Sequence, residues 1–274
     1  MYIKQLASAA VATLVMAVGM PLTALADSGT VTVTQQNQQG WSTQDTKLGG
    51  AVNFIKDETS PAPNGALQLT TSATTAAKAQ YLHTANVALA DVNSLSYYTK
   101  QVSASFAEGA PSYQLPSHLT GTGGFTTLVY EPYQSATDGQ KVLPNVWQKW
   151  DVTKGLFYST RAVTCSNGTI VAGAGGPAIY TLAQIKSSCP AAKIIQFGVN
   201  IGSNNPSYNV ETDLFNFNGT TYDFQYTKLP TNRDQCKMNG FSSYTDSLGV
   251  AFTNQGSCVS FVNMTQEANT ETSN

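Results

Sequence analysis

The stretch VETDLFNFNGTTYDFQYTKL, residues 210–229, leaves its backbone few options. Two runs in which apolar and polar residues alternate, the period of a half-buried strand, flank the dipeptide Asn218-Gly219. A type I′ turn needs positive φ at both central positions, and Asn followed by Gly adopts it readily. The segment is therefore expected to close as an antiparallel hairpin, with Leu214 and Phe215 on opposite faces. A hairpin cannot bury its apolar face alone, so further strands have to come from elsewhere in the chain.

The chain supplies them. TVTVTQ (30–35), GALQLTTS (65–72), SLSYYTKQVSASF (94–106), FTTLVYEPY (125–133), WQKWDVT (147–153) and KIIQFGVNIG (193–202) are short runs with β character, separated by clusters of Gly, Pro, Asn and Asp. A second Asn-Gly pair sits in TCSNGTIVAG (164–173). One segment has helical spacing instead. In YTLAQIKSSCP (180–190), Leu182, Ile185 and Cys189 share a face, Thr181 is placed as N-cap and Pro190 as stop. Many short strands and one short crossover helix predict an all-β, two-sheet sandwich.

Residues 1–26 read as a secretory signal peptide. Lys4 is followed by an apolar run from Leu6 to Met20, shorter than the ~20 residues a bilayer span needs. Ala24, Leu25 and Ala26 then offer the small residues that a signal peptidase reads. Removing 26 of the 274 residues leaves 248, and no later segment is apolar enough to span a membrane. Loss of Lys4 moves the formal net charge from −2 to −3, and only 11% of residues are charged. No basic patch is available to neutralise phosphates, so nucleic acid is not an expected partner.

Four cysteines in an exported chain imply two disulfides. Of the three pairings, Cys165–Cys189 with Cys236–Cys258 is favoured, because each closes a loop of roughly 25 residues, worth about 3 kcal/mol of chain entropy. There is no C-x-x-C, and His83 and His118 lie far off in sequence, so zinc is not expected. KLPTNRDQC (228–236), polar and interrupted by Pro230, reads as a linker and places the sandwich at 27–228. Residues 229–262, with their glycines and the Asn254-Gln255-Gly256 turn, are expected to form a small hairpin clasped by Cys236–Cys258. NMTQEANTETSN (263–274) has no apolar periodicity and is expected to be disordered.

Catalytic signals are weak. No G-x-S-x-G elbow is present, and both histidines sit in polar sequence. Glycoside hydrolysis needs two carboxylates about 5 to 10 Å apart. The candidates are Glu131, Asp151, and Glu211 with Asp213, which share a strand face; the bland role for Asp213 is to accept hydrogen bonds from a loop. The E-x-D-x-x-E pattern of a large sandwich glycosidase family is not there. A structural calcium site would draw on Asp45, Asp57, Glu58 and Asp213, although their spacing selects no set and no EF-hand is present.

Carbohydrate binding asks for less: an aromatic ring against the C–H face of a sugar, and short polar side chains for its hydroxyls. Trp41, Tyr130, Tyr133 and Trp147 lie in polar, turn-rich settings and form the candidate platform. Trp147 and Trp150 point to opposite faces of a strand; Val152 shares the parity of Trp150, which makes Trp150 the core residue. Of the adjacent Tyr97 and Tyr98, one has to face outward.

Two resemblances add to this. GALQLTTSATTAAKAQYL, LADVNSLSYYTK, APSYQL, GGFTTLVYEPY and WQKWDV together resemble the body of secreted bacterial β-sandwich proteins related to jelly-roll carbohydrate-binding modules, over most of residues 30–227. That resemblance implies a jelly-roll-like sandwich and no assigned activity. The closing segment resembles a C-terminal motif of exported bacterial proteins, C-K-x-G-G-W followed by F-x-N-Q-G-x-C-V-S. Cys236, Lys237, Gly240, Phe252, Asn254, Gln255, Gly256, Cys258, Val259 and Ser260 match, while Asn239 and Phe241 replace its first Gly and its Trp. The expected function is secreted, non-catalytic binding of a neutral glycan or cell-envelope polysaccharide. The alternatives are an extracellular surface protein with a protein partner, and a glycan-active hydrolase or lyase.

Overall fold

The structure, a computed structural model, describes residues 29–62, 64–173 and 176–271. The expected signal peptide lies outside the described residues. In chain order the elements are β1 (Thr30–Thr34), β2 (Trp41–Ser42), β3 (Gly50–Ile55), β4 (Ala66–Thr71), β5 (Ala79–Ala88), β6 (Leu95–Ser103), β7 (Ser112–His118), β8 (Phe125–Tyr130), α1 (Pro132–Ser135), β9 (Gln148–Asp151), β10 (Leu156–Ser159), β11 (Val163–Cys165), β12 (Gly168–Ile170), β13 (Tyr180–Thr181), α2 (Leu182–Ser188), β14 (Lys193–Ile201), β15 (Asn209–Phe217), β16 (Thr220–Gln225) and α3 (Gln255–Glu271).

Most of these strands form the two sheets of an all-β, jelly-roll-like sandwich. The first sheet has the order β1-β16-β15-β4-β3, with β6 on the other edge of β15 and β9 beyond it. The second has the order β13-β10-β8-β7-β14-β5-β2, and β11 and β12 form a separate ribbon. The hairpin β15–β16 pairs Phe215 with Tyr222 and Phe217 with Thr220, and Asn218 and Gly219 take φ of 51° and 95°, as a type I′ turn requires. Strand β15 also carries a bulge between Asp213 and Asn216, with Leu214 at φ 44°. There it changes neighbours on one side, from β4 to β16, while β6 follows its other edge.

The core between the sheets is aromatic. Trp41, Tyr81, Tyr97, Tyr113, Tyr130, Trp150, Phe157, Phe197, Phe215 and Phe224 are all buried in it. Strand parity places Trp150 inside, with its indole N–H donating to Thr99 Oγ1 at 2.7 Å, and leaves Trp147 half-buried outside. The same rule sends Tyr97 inward and Tyr98 outward. On α2, Thr181 and Gln184 form a capping box, and Cys189 at the helix end bonds to Cys165 of β11.

The C-terminal segment meets its expectation in part. The Cys236–Cys258 disulfide is present and encloses a minimal antiparallel turn in which Thr245 pairs with Ala251, but Cys258 itself lies on helix α3 rather than on a strand. Asn254, read as a turn residue, accepts the Ser257 N–H on its side chain at 2.9 Å, an N-cap contact. Cys258 and Val262, four apart, then share the face that packs on Cys236, with Phe241 and Phe252 against it. Helix α3 continues to Glu271, through most of the stretch expected to be disordered. No helix among the described residues is long and apolar enough to cross a membrane.

This small cluster is separate from the sandwich core. Replacing Cys236 and Cys258 together by serine is expected to release α3 while the sandwich keeps its melting transition. The measurement is limited proteolysis beside calorimetry. Collapse of the main transition would instead make the clasp part of the sandwich's own stability.

Candidate functional site

The site begins with an irregularity in the alternation of the second sheet. In AQY (79–81), YQL (113–115) and VNI (199–201), a single amide stands between two core residues, so it has to point to the face away from the core. Register gathers the three amides: Asn200 pairs with Gln80 on one side and Ser112 on the other, and Gln114 lies two residues further along β7. An outward face is normally wet, yet Gln80, Gln114 and Asn200 are only 6%, 9% and 6% exposed. Loops rise around them. The floor residues hold one another: Asn200 Nδ2 donates to Gln80 Oε1 (2.9 Å), Gln114 Nε2 to Ser112 Oγ (2.7 Å), and Ser112 Oγ to the Asn200 carbonyl (2.9 Å). Among the described residues, Gln114 Oε1 and Asn200 Oδ1 accept nothing and remain free for hydroxyl donors.

Above this floor is a cleft of about 510 Å³. Its rim carries Phe106 and Tyr133, 43% and 40% exposed, with ring centroids 5.2 Å apart in an edge-to-face contact. Tyr158 from β10 and Tyr208 complete the aromatic lining, and Asn204 and Asn205 add amides. Tyr208 lies flat on the backbone at Gly109, where a Cβ would meet its ring at 2.6 Å. Pro132 creates the rim's other side. It ends β8 at Tyr130 and starts α1 as its first residue, which turns Glu131 and Tyr133 over the cleft where the alternation alone extends the strand to 133.

Glu131 is the one carboxylate among the described residues lining the cleft. Burial pushes it above the usual carboxylate range, opposed by hydrogen bonds from Gln134 (Nε2 to Oε2, 2.6 Å), Tyr158 and Tyr133. The floor continues past Gln114 into a second hollow of about 300 Å³, lined by Gln80 and again by Gln114.

The four aromatics expected as a platform are dispersed. Trp41 and Tyr130, 3% and 1% exposed, belong to the core, which corrects their expected exposure. Tyr133 is on the rim. Trp147 is on the outer face of the first sheet, where its indole N–H donates to Asp57 Oδ2 at 3.2 Å and the Lys100 ammonium lies 5.2 Å from its ring centroid. Sequence reading passed over Phe106, Tyr158, Tyr208 and the amide floor; the amide-between-apolars pattern in three strands was the available signal.

The other carboxylates are elsewhere. Asp151 is exposed and paired with Lys154 (2.7 Å). Glu211 pairs with Lys100 (2.6 Å), which also contacts Asp57. Asp213 is fully buried in the bulge of β15, where Phe224 and Ala62 donate backbone N–H groups to its two oxygens at 3.1 and 3.2 Å. None of these three acids lines the cleft, so among the described residues no second carboxylate stands opposite Glu131 there. The four candidate calcium ligands do not converge either, and no group of three His, Cys, Asp or Glu among the described residues is placed to hold a metal. Glu58 is paired with Lys56, and Asp57 and Asp213 already face an ammonium and N–H donors.

Burial raises Asp213 to about 7, beyond what its backbone donors hold down. The folded state thus keeps a proton that the unfolded chain releases near pH 3.9. The stability this group contributes is complete below that value and is lost as pH rises to about 7. Asp213→Asn is expected to make the fall in melting temperature between pH 4 and 7 shallower. Thermal melts across that range check it, and an unchanged slope contradicts it.

No family model matches the chain, and no curated protein matches it. Among solved structures, it is similar to the family 11 carbohydrate-binding module of a cellulosomal cellulase of Clostridium thermocellum, over 65% of this chain and 86% of that one, with 11% identity and a TM-score of 0.38. A structure of a family 11 module from the same organism, in complex with a β-1,3-1,4-mixed-linked tetrasaccharide, matches over 66% and 90%, with 12% identity and a TM-score of 0.39. A xylan-binding domain from Paenibacillus barcinonensis matches over 66% and 85%, with 14% identity and a TM-score of 0.26.

Proposed function

We propose that this protein is a secreted, non-catalytic carbohydrate-binding protein whose cleft on the outer face of the second sheet holds uncharged rings of a polysaccharide. The observation that carries this reading is the buried floor of Gln114, Ser112 and Asn200, with Gln80 holding Asn200 from beside it, beneath the exposed rings of Phe106 and Tyr133. Side-chain amides offer donors and acceptors without charge, which suits sugar hydroxyls, and the rim rings suit the C–H face of a pyranose. An openly exposed amide would compete with water to little effect; one sunk in a cleft loses its water before the ligand arrives and gains more from each hydrogen bond. Two disulfides, with no free cysteine among the described residues, fit an oxidising compartment outside the cytoplasm.

The test is affinity electrophoresis and calorimetry of the purified protein on a panel of soluble glucans, xylans, mannans and cell-envelope polysaccharides. Retention is expected on at least one, without release of reducing ends. Tyr133→Ala is expected to weaken that binding at least about tenfold, or 1.4 kcal/mol, with the melting temperature unchanged. A folded protein that is retained by no polysaccharide, or a Tyr133 variant that binds as well as the parent, overturns the reading.

A further inference from the structure

The second hollow differs from the first in charge. Lys78, Arg161 and Asp45 line it together with Phe125 and Gln80, and Gln114 lines both this hollow and the first cleft. The Arg161 guanidinium lies 5.3 Å from the centroid of the Phe125 ring, and among the described residues its N–H groups have no acceptor. Neither Arg161 nor Lys78 forms an ion pair among the described residues, although Asp45 lines the same hollow. Lys78 is half-buried, and that burial holds its ammonium below the usual lysine range. Lys100 on the opposite sheet shows the contrast: it is also partly buried, but two carboxylates meet it. In a chain of net charge −2, a half-buried Lys78 and an exposed Arg161, neither in an ion pair among the described residues, line this hollow with one acid, Asp45, and leave a local excess of positive charge with room beside it. Such a pair is costly until an anion arrives, and a planar guanidinium beside an ammonium matches a carboxylate.

We propose that the second hollow recognises the carboxylate of a uronic acid ring, on the same chain whose uncharged rings fill the first cleft. The ligand is then an acidic heteropolysaccharide lying across Gln114 from one hollow to the other. This rests on the carbohydrate reading of the first cleft and adds the substrate class. Arg161 and Lys78 bind the carboxylate, and Phe125 packs against the ring that bears it.

The experiment measures the binding of the purified protein to a uronate-containing heteropolysaccharide, to the same polymer after carboxyl reduction to the neutral sugar, and to a sulfated polymer of matched backbone. Carboxyl reduction is expected to weaken binding at least about tenfold, by an amount that shrinks as salt rises. Lys78→Gln with Arg161→Gln is expected to bring the ratio of the two affinities to about one, with the melting temperature held within a few degrees. Equal binding of native and reduced polymers overturns the proposal, and so does a double variant that keeps the discrimination. Preference for the sulfated polymer over the uronate assigns a sulfate ester instead and overturns the carboxylate. Binding of the reduced polymer that Tyr133→Ala abolishes leaves the first cleft's reading intact even where the uronate makes no difference. No binding of any polymer removes both readings.

Discussion

Replacing Trp41 by alanine is expected to cost about 3–5 kcal/mol of folding stability, the range for removing a large aromatic from a packed core. For a domain of this size that corresponds to a melting temperature lower by about 10 °C or more. The ring stacks on Tyr81 at 5.2 Å and meets Phe197, Phe215, Tyr222 and Phe224 edge-on at 5.2 to 5.6 Å. Tyr81 and Phe197 belong to the second sheet, and Phe215, Tyr222 and Phe224 to the first, so one side chain from the two-residue strand β2 bridges both layers. Its removal leaves a cavity that five rings held in place by two sheets cannot collapse to fill. Urea unfolding of the variant reads the loss directly. A cost under about 1 kcal/mol, with weaker polysaccharide binding at a temperature where the fold is intact, would return Trp41 to a platform role.

The second large effect is expected at Lys100. Its ammonium lies between Asp57 and Glu211, all three side chains are largely buried, and residues 57–62 reach the outer face of the first sheet, where the Ala62 N–H donates to Asp213. Burial alone raises Asp57, but the Lys100 ammonium and the Thr59 hydroxyl and N–H hold it well below the usual carboxylate range. Lys100→Met leaves two shielded carboxylates facing each other, and removing one partner of a buried pair costs about 3–5 kcal/mol. The sign of the pH dependence follows. A depressed carboxylate contributes stability above its unfolded value near pH 3.9 and loses it as pH falls further, so the parent surrenders in acid what the variant never had. The gap between the two proteins is therefore expected to be wide at pH 7 and to narrow towards pH 3. Urea midpoints at both pH values test this, and an equal deficit at each rules out the charge-pair explanation. The same variant is expected to be cut faster by protease within residues 56–62.

What could be read from the sequence follows from how local each signal is. The β15–β16 hairpin, the α2 cap at Thr181 and the inward turn of Trp150 each depend on residues within a few positions of one another, and the structure has all three. The two disulfides also match the sequential pairing. The second half of the C-terminal segment went the other way because Asn254 serves a helix N-terminus as readily as a turn; the spacing of Cys258 and Val262 favoured the helix once Cys236 gave that face something to pack on.

The aromatic residues mark the boundary more sharply. Polar surroundings in sequence suggested that Trp41 and Tyr130 were exposed, yet Trp41 is followed at once by loop and packs on partners 40 to more than 180 residues away. Tyr130 ends its strand facing Tyr97 across the core. Tyr133 reaches the cleft because Pro132, two residues after Tyr130, starts a helical turn and so ends the strand at Tyr130. Burial of a single ring depends on which strands lie opposite it, and that is set by pairings such as β14 with β5 and β7, which no local pattern encodes. The sequence by itself determined that this chain makes strands, where one hairpin closes and that Trp150 rather than Trp147 turns inward, and it favoured the sequential cysteine pairing, because alternation, turn chemistry and loop length act over short range. Only the tertiary structure decided that Gln80, Gln114 and Asn200, up to 120 residues apart, form one nearly buried floor, because register across three strands brings them side by side.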